Sequence, residues 1–587
     1  MAKKRIAVVD MELCRPEKCQ VLCMRVCPKV RAGEECIVYD KTEKRPNIDE
    51  SICIGCGICV KKCPYQAITI VNLMQELDEL PVHRFGRNGF VLYRLPFPVE
   101  NEIVGIVGPN GVGKTTALKI LSGELKPNMG GAKGSVAEMI KIFRGTELQA
   151  YLEKLEAGDV RTSIKPQRVD SIPSAYKGKV SRLLGKVDER KIASSLAKDF
   201  GIEEALDRNV AELSGGELQR VAIIACLAKD ADMYYLDEPT SFLDVFQRLH
   251  MAKLIREYCK GKSVMIVDHD LATLDFLVDR VHMFYGVPTA YGIVSKPYGV
   301  RVGINTFLDG YIKEDNVRFR SDPISFLVSM EGRGGEHQKL ISFENIRKKF
   351  EKFELNVKSG SVKQKEVLAL LGANALGKTT FAKILAGEVK LDDGIVDGEV
   401  GISYKPQYIH MESDGTVRGV LEKVRKMSDE FKVEIIRPLE LEKLLEKNVS
   451  ELSGGELQRV AIAICLARDA DLYLLDEPSA FLDVEQRLAV AKLINKLVEV
   501  KEKAALVIDH DLLFLSQVGD RAMHFYGKPS IDGKVDGVTS VKDAFNSFLS
   551  QVGVTFRKDP QTGRPRANKI GSQMDREQKE KGDYFYV

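Results

Sequence analysis

The chain carries one ordered set of phosphate-handling motifs twice. In the first copy Gly108-Pro-Asn110-Gly111-Val-Gly113-Lys114-Thr115-Thr116 follows the apolar run Ile103-Val-Gly-Ile-Val107. In the second, Gly372-Ala-Asn374-Ala-Leu-Gly377-Lys378-Thr379-Thr380 follows Val367-Leu-Ala-Leu-Leu371, and a helical pattern comes after each. A buried strand, a glycine-rich loop and a helix form the context that a nucleotide loop requires. Loop amides and the helix N-terminus would hold phosphates, Lys114 and Lys378 would reach the β/γ oxygens, and Thr115 and Thr379 would meet Mg²⁺. The duplication predicts two α/β nucleotide-binding domains in tandem.

Later in each copy an apolar strand ends in two carboxylates, Tyr234-Tyr-Leu-Asp237-Glu238 and Tyr473-Leu-Leu-Asp476-Glu477. Asp237 and Asp476 suit the water shell of Mg²⁺, and Glu238 and Glu477 can polarise an attacking water. Between loop and strand lie Leu213-Ser214-Gly215-Gly216-Glu217-Leu-Gln-Arg220 and Leu452-Ser453-Gly454-Gly455-Glu456-Leu-Gln-Arg459. Ser-x-x-Glu ahead of an apolar helical pattern is a capping box, and the paired glycines leave amides and a hydroxyl open to a phosphate. Both halves therefore resemble ATP-binding cassette nucleotide-binding domains. The resemblance assigns Gln167 and Gln407 in Lys-Pro-Gln to the Q-loop, Asp244 and Asp483 in Phe-Leu-Asp to the D-loop, and His269 and His510 in Asp-His-Asp to the switch histidine. It also implies a head-to-tail pair with two composite ATP sites. One would combine Lys114, Thr115, Gln167, Asp237, Glu238 and His269 with Ser453 and Gly455, and the other Lys378, Thr379, Gln407, Asp476, Glu477 and His510 with Ser214 and Gly216. Neither half would then hydrolyse well alone. Phe85 or Phe90, and Phe350 or Phe353, are candidates to stack on adenine.

Two cysteine runs precede the first copy. Cys53-Ile-Gly-Cys56-Gly-Ile-Cys59-Val-Lys-Lys-Cys63-Pro has the bacterial ferredoxin spacing for a [4Fe–4S] cluster, and Cys14, Cys19, Cys23 and Cys27-Pro28 form a second run with wider first spacings. The fourth cysteine of such a run ligates the other cluster. This exchange assigns Cys53, Cys56, Cys59 and Cys27 to one cluster and Cys14, Cys19, Cys23 and Cys63 to the other. Structural zinc is the alternative, although zinc sites usually use two separated Cys-x-x-Cys pairs. Cys36 has no evident partner, and Cys226, Cys259 and Cys465 sit in apolar or helical contexts as core residues.

A chain of 587 residues can hold three or four domains, and 44% hydrophobic and 29% charged residues are ordinary globular values. No long apolar run predicts a membrane span and no secretory leader pattern opens the sequence. Clusters and free thiols fit the reducing cytosol. A net charge of +3 is too small to argue for nucleic acid.

The halves differ in one place. The interval from Lys114 to Gln167 is about two dozen residues longer than that from Lys378 to Gln407. The extra length predicts a helix, a turn at Gly145 and a second helix begun by Thr146-x-x-Gln149, with Leu148, Leu152 and Leu155 on one face, projecting from the first cassette as a docking element. Two further segments belong to neither copy. One holds Arg318-Phe-Arg320-Ser-Asp-Pro323; the other runs from Arg557 to Lys581 with eight basic residues against four acids. Both carry a Phe-Arg element followed by Asp-Pro. They are expected to form one composite hinge, with Arg564 and Arg566 among the basic groups facing RNA phosphate.

Twin cassettes behind a two-cluster ferredoxin-like domain resemble the ABC subfamily E, or RNase L inhibitor, family over the whole chain, including the insertion and both hinge segments. The resemblance implies a cytoplasmic ribosome-recycling ATPase that uses ATP, Mg²⁺ and two [4Fe–4S] clusters. Such a protein splits ribosomes with a release factor or Pelota-type protein, stays on the small subunit and its rRNA, and works as a monomer whose cassettes pair. The absence of long eukaryotic-style insertions points to an archaeal source. The expected boundaries are 1–75 for an α+β iron–sulfur domain, 76–291 for the first cassette with its insertion at about 137–160, 292–340 for one hinge, 341–545 for the second cassette and 546–587 for the second hinge and tail. A transporter engine or a redox-coupled ATPase is the competing class.

Overall fold

The computed structural model describes residues 5–10, 13–41, 44–72, 80–131, 136–314, 316–320, 323–324, 326, 337–398, 400–407, 409 and 415–586. Ser321 and Asp322 of the first hinge and the final Val587 lie outside them. The chain forms two compact units, the first of residues 1–239, 254–269 and 278–321, the second of 240–253, 270–277 and 322–587.

In the first unit the N-terminal strands Arg5–Val9 and Ile68–Asn72 pair antiparallel, as do Ile37–Asp40 and Arg45–Ile48. Short helices carry the cysteines. Pro28 and Pro64 hold the preceding Cys27 and Cys63 in extended backbone, at ψ 122° and 115°, so each run leaves its helix at its fourth cysteine. The core beneath is small, with Cys23, Cys27, Cys36, Cys53 and Cys59 packed among Ala7, Val9, Ile37, Ile48 and Ile68. A core this small calls for metal staples.

This domain seals against the hairpin His83–Arg84 and Val91–Tyr93. Buried Asn88 at its turn donates Nδ2 to the carbonyls of Ala7 and Ile48, both at 2.9 Å, and accepts from Ile48 N–H at 2.8 Å. Arg84 grips Glu50 with both guanidinium branches, at 3.1 and 2.5 Å. Beyond the hairpin runs a parallel sheet ordered Thr162–Lys165, Met233–Asp237, Ser263–Val267, Ile103–Val107 and Arg280–Val287. Ile103–Val107 and Met233–Asp237 are buried throughout, as strands covered on both faces must be.

The insertion forms helices Val136–Ile142 and Glu147–Ala157. It does not simply project. Met139, Leu148 and Leu152 join the cassette core, and the Tyr151 hydroxyl donates to Leu121 O at 2.7 Å. The expected capping box is also incomplete: the Thr146 hydroxyl donates to Phe143 O, and Gln149 Oε1 accepts from Gly145 N–H.

The second unit repeats the parallel order with Ile402–Lys405, Leu472–Asp476, Ala504–Ile508, Glu366–Leu371 and Arg521–His524. Where the first copy has its two inserted helices, this one has the strand Asp393–Asp397, paired with the long strand Lys339–Lys349. The tail adds a small sheet of Phe556–Lys558, Pro565–Ala567 and Phe585–Tyr586. Phe326 N–H reaches Thr562 O at 3.2 Å, so one point of the first hinge segment touches the tail.

The expectation that Arg564 and Arg566 face RNA is wrong. Arg564 is fully buried, its Nη1 donating to the equally buried Asp275, and Arg566 donates to the other oxygen of Asp275 at 3.1 and 3.2 Å. An unpaired guanidinium cannot stay in such a place, and these arginines serve a protein carboxylate. Arg320 also turns inward, donating to Leu308 O at 3.0 Å at the end of helix Val300–Asp309.

Two outcomes follow from backbone and burial. Gly111 and Ala375 occupy matching loop positions at φ 75° and 59°, a left-handed conformation that costs a side chain-bearing residue about 1–2 kcal/mol. Ala375→Gly is expected to stabilise the second cassette by about 1 kcal/mol in thermal melts. Gly111→Ala should destabilise the first, because its Cβ would meet Thr289 N at 3.3 Å. Separately, His282 is buried with Nδ1 2.8 Å from Ser295 O and Nε2 accepting from Phe97 N–H, which fixes a neutral ring. Burial lowers its pKa from 6.5 to about 4. The unfolded chain protonates this histidine first, so stability held above pH 6.5 is lost as pH falls toward 4, by about 3 kcal/mol. Melting temperature measured across that window should fall, and His282→Gln should flatten the slope.

Candidate nucleotide and iron-sulfur sites

Each nucleotide loop closes on its own lysine. Lys114 Nζ donates to Gly108 O and Pro109 O at 2.8 and 2.7 Å, and Lys378 Nζ to Gly372 O and Ala373 O at 2.9 and 2.6 Å. These carbonyls hold the ammonium inside the loop. Gly113 and Gly377 start the loop helices at φ 91° and 90°. A Cβ on Gly113 would lie 2.8 Å from Phe90, and one on Gly377 3.0 Å from Phe353. Phe90 and Phe353 thus pack under the loops, while Phe85 and Phe350 are exposed.

The Thr115 hydroxyl donates to Asp237 Oδ2 at 2.8 Å and that of Thr379 to Asp476 Oδ2 at 2.7 Å. Asp237 Oδ1 is buried with no hydrogen-bond partner among the described residues. A hydroxyl and an orphaned carboxylate oxygen side by side fit a hydrated Mg²⁺. Burial, then the Glu238 charge, pushes Asp237 up to about 6; burial likewise pushes Asp476 up to about 6. Such carboxylates gain from a cation.

Glu238 and Glu477 stand beside them in left-handed backbone, both at φ 48°. Gln167 Nε2 donates to Glu238 Oε1 and Gln407 Nε2 to Glu477 Oε1, both at 2.7 Å. His269 Nε2 lies 3.7 Å from Glu238 Oε1, and His510 Nε2 3.5 Å from Glu477 Oε1. Burial raises the Glu477 pKa, but the His510 hydrogen bond and charge, with Lys378 and Lys405, outweigh it and hold the carboxyl below its usual range. A carboxylate kept ionised beside a histidine and a glutamine amide can orient and activate a water.

Ser214 and Ser453 open helices Gly215–Leu227 and Gly454–Ala467 with complete capping boxes. The sequence motif left the rest of that arrangement unseen: Arg208 donates to Glu217 at 2.8 Å and Lys447 to Glu456 at 3.3 Å, bracing each serine's partner. Within the second unit, Asp244 Oδ2 accepts from Asn374 N–H at 2.9 Å, so the first copy's D-loop aspartate touches the second copy's nucleotide loop. Asp483 accepts from Gln486 N–H and caps its own helix. Sequence reading also passed over Lys165 and Lys405, which lie buried against the paired carboxylates; the repeat of Lys-Pro-Gln in both copies was the available signal.

The cysteines gather in two groups. Cys14, Cys19, Cys23 and Cys63 line one cavity. Burial, then the neighbouring sulfurs of Cys53 and Cys56, pushes the Cys59 thiol up to about 11, and Cys27 lies close by as well. Burial followed by Cys63 and Cys19 does the same to Cys14. Crowded thiols that resist ionising alone fit an iron cluster, whose positive metal offsets their charge. Cys56 is exposed, Cys14, Cys19 and Cys63 half-buried, and the other four buried. Cys36 is buried against Cys27 and Cys53 and so is not without neighbours. Cys226, Cys259 and Cys465 are core residues. Among the described residues no helix is long and apolar enough to cross a membrane.

Comparison with known proteins agrees with this geometry. The ABC transporter family matches residues 99–241 and 355–480, the 4Fe-4S binding domain 46–69, and a possible Fer4-like domain in RNase L inhibitor 5–35. An ABC transporter ATP-binding protein of Methanocaldococcus jannaschii is 49% identical, covering 99% of this chain and 98% of its own length. Translation initiation factor RLI1 of Saccharomyces cerevisiae is 42% identical, covering 99% and 98%. Among solved structures, ribosome-bound archaeal ABCE1 with Pelota is 50% identical, covers 100% of both chains and has a TM-score of 0.95. The archaeal recycling factor aABCE1 in complex with ribosomal stalk protein aP1 is 50% identical, covers 87% of this chain and 100% of its own, and has a TM-score of 0.83. With twin ABC-type ATPase domains behind a [4Fe–4S] domain, the chain belongs to the RNase L inhibitor family, subfamily E of the ATP-binding cassette proteins.

Proposed function

We propose that this protein is an ATP-driven ribosome-recycling factor of the cytoplasm, splitting ribosomes with a release or Pelota-type factor and then staying on the small subunit. The carrying observation is the full-length likeness to a ribosome-bound ABCE1, cluster domain included. The duplicated set of hydrolytic groups supports it. In this reading Lys114, Thr115, Thr116, Gln167, Asp237 and their counterparts Lys378, Thr379, Thr380, Gln407, Asp476 hold Mg-ATP. Glu238 and Glu477 activate water, and His269 and His510 sense the γ-phosphate. Ser214 with Gly215 and Gly216, Ser453 with Gly454 and Gly455, and Asp244 and Asp483 complete the sites. ATP binding favours one arrangement of the cassettes and hydrolysis releases it, so that the iron–sulfur domain moves against its target.

Sedimentation tests the reading. The double variant Glu238→Gln, Glu477→Gln is expected to lose turnover by about 100-fold or more and to stay with the small subunit in ATP, whereas wild type is released. Failure to cosediment in every nucleotide state would overturn the assignment and leave the transporter or redox classes. The cluster ligands are tested by iron content. Cys63→Ser should remove the cluster of Cys14, Cys19 and Cys23, and Cys27→Ser that of Cys53, Cys56 and Cys59. Each should leave about half the iron and one electron-paramagnetic signal.

A further inference from the structure

We infer that Lys165 and Lys405 are positioning residues for hydrolysis, holding the backbone of each catalytic glutamate and placing an ammonium group behind the paired carboxylates. The inference rests on Glu238 and Glu477 being the water-activating groups. Lys165 ends the strand Thr162–Lys165, beside Met233–Asp237, and is 0% exposed; Lys405 ends Ile402–Lys405, beside Leu472–Asp476, and is 1% exposed. Lys165 Nζ donates to Asp237 O at 2.8 Å and Glu238 O at 3.2 Å, and Lys405 Nζ to Asp476 O at 2.7 Å and Glu477 O at 3.2 Å. Burying an ammonium is costly unless its surroundings repay it, and here the same cost recurs in both copies.

The recipient explains the recurrence. Glu238 and Glu477 hold a left-handed backbone that a residue with a side chain avoids, and each precedes a proline, which narrows its choices further. Such a conformation persists only where its surroundings over-determine it. Three anchors do so in each copy. The Glu238 N–H donates to Val267 O at 2.8 Å, and the Glu238 carbonyl accepts from Gln219 Nε2 at 2.7 Å and from Lys165. Glu477 has Ile508 O at 2.8 Å, Gln458 Nε2 at 2.6 Å and Lys405. Each ammonium thus stands behind the paired carboxylates of its own copy.

The test isolates one site at a time in the full-length chain. Lys165→Met is placed on Glu477→Gln, which silences the second site, and Lys405→Met on Glu238→Gln. The expected result is that kcat falls by about 10-fold or more while KM for ATP stays within about threefold. Lys165→Gln, whose amide can still reach a carbonyl but carries no charge, should fall between. Turnover within about twofold of the parent overturns the inference. So does a loss of kcat and KM together with a lowered melting temperature, or failure of both the Met and Gln variants to fold, since either marks a structural lysine only. The double glutamine variant separates the two readings. If it still turns over ATP, the glutamates are misassigned; if it is dead while Lys165→Met is normal, only the lysine's role fails.

Discussion

Each cassette depends on the end of one strand. At Asp237-Glu238 four elements converge: the loop helix through Thr115, the neighbouring strand through Lys165 and Gln167, the signature helix through Gln219, and the switch strand through Val267 O and His269. Asp476-Glu477 gathers the equivalents. The backbone at each glutamate is forced, so a shift in any of the four elements changes the geometry of its carboxylate. A nucleotide that draws Lys114 or Gln167 toward its phosphates therefore acts on elements that already share one anchor.

The buried Asp275 is a separate anchor, within the second unit. It lies in helix Leu271–Leu277, which begins two residues after His269, and it accepts from Arg564 and Arg566 of the tail. Removing either arginine would leave part of a buried carboxylate unpaired, a cost of several kcal/mol rather than the small loss of a surface pair. A basic tail that reads as an RNA contact is thus tied to helix Leu271–Leu277. The tail's basic residues fall into two classes, those consumed by the fold and those left for solvent, and composition alone cannot sort them.

What the sequence revealed followed the chemistry's own constraints. Nucleotide loops, signature helices and cysteine runs need particular residues at short fixed intervals, so Thr115 near Asp237, or Cys63 among Cys14, Cys19 and Cys23, could be expected from the sequence. Contacts that no such motif announces were not legible. Arg564 and Asp275 are 289 positions apart, and nothing local to either predicts the pair. Lys165 was hidden differently: a lysine at a strand end normally reaches solvent, and only the tertiary cover of the paired carboxylates turns it inward. The insertion was expected to project, because its Leu148–Leu152 face could serve a partner as readily as the cassette's own core.

The hairpin between the cluster domain and the first nucleotide loop joins these observations. Its turn residue Asn88 holds Ala7 and Ile48 of the cluster domain, and Arg84 holds Glu50. Phe90, two residues beyond Asn88, lies under Gly113 and Gly292, where a Cβ on either glycine would crowd its ring. One short segment is therefore committed at both ends, to the iron–sulfur head through polar contacts and to the nucleotide loop through packing. The two kinds of contact yield differently. Close-packed rings under a glycine loop leave no slack, whereas an Arg–Glu pair and a side-chain amide can be exchanged for water. If the head moves, the polar side of this hairpin is where it parts, and the aromatic side stays with the cassette.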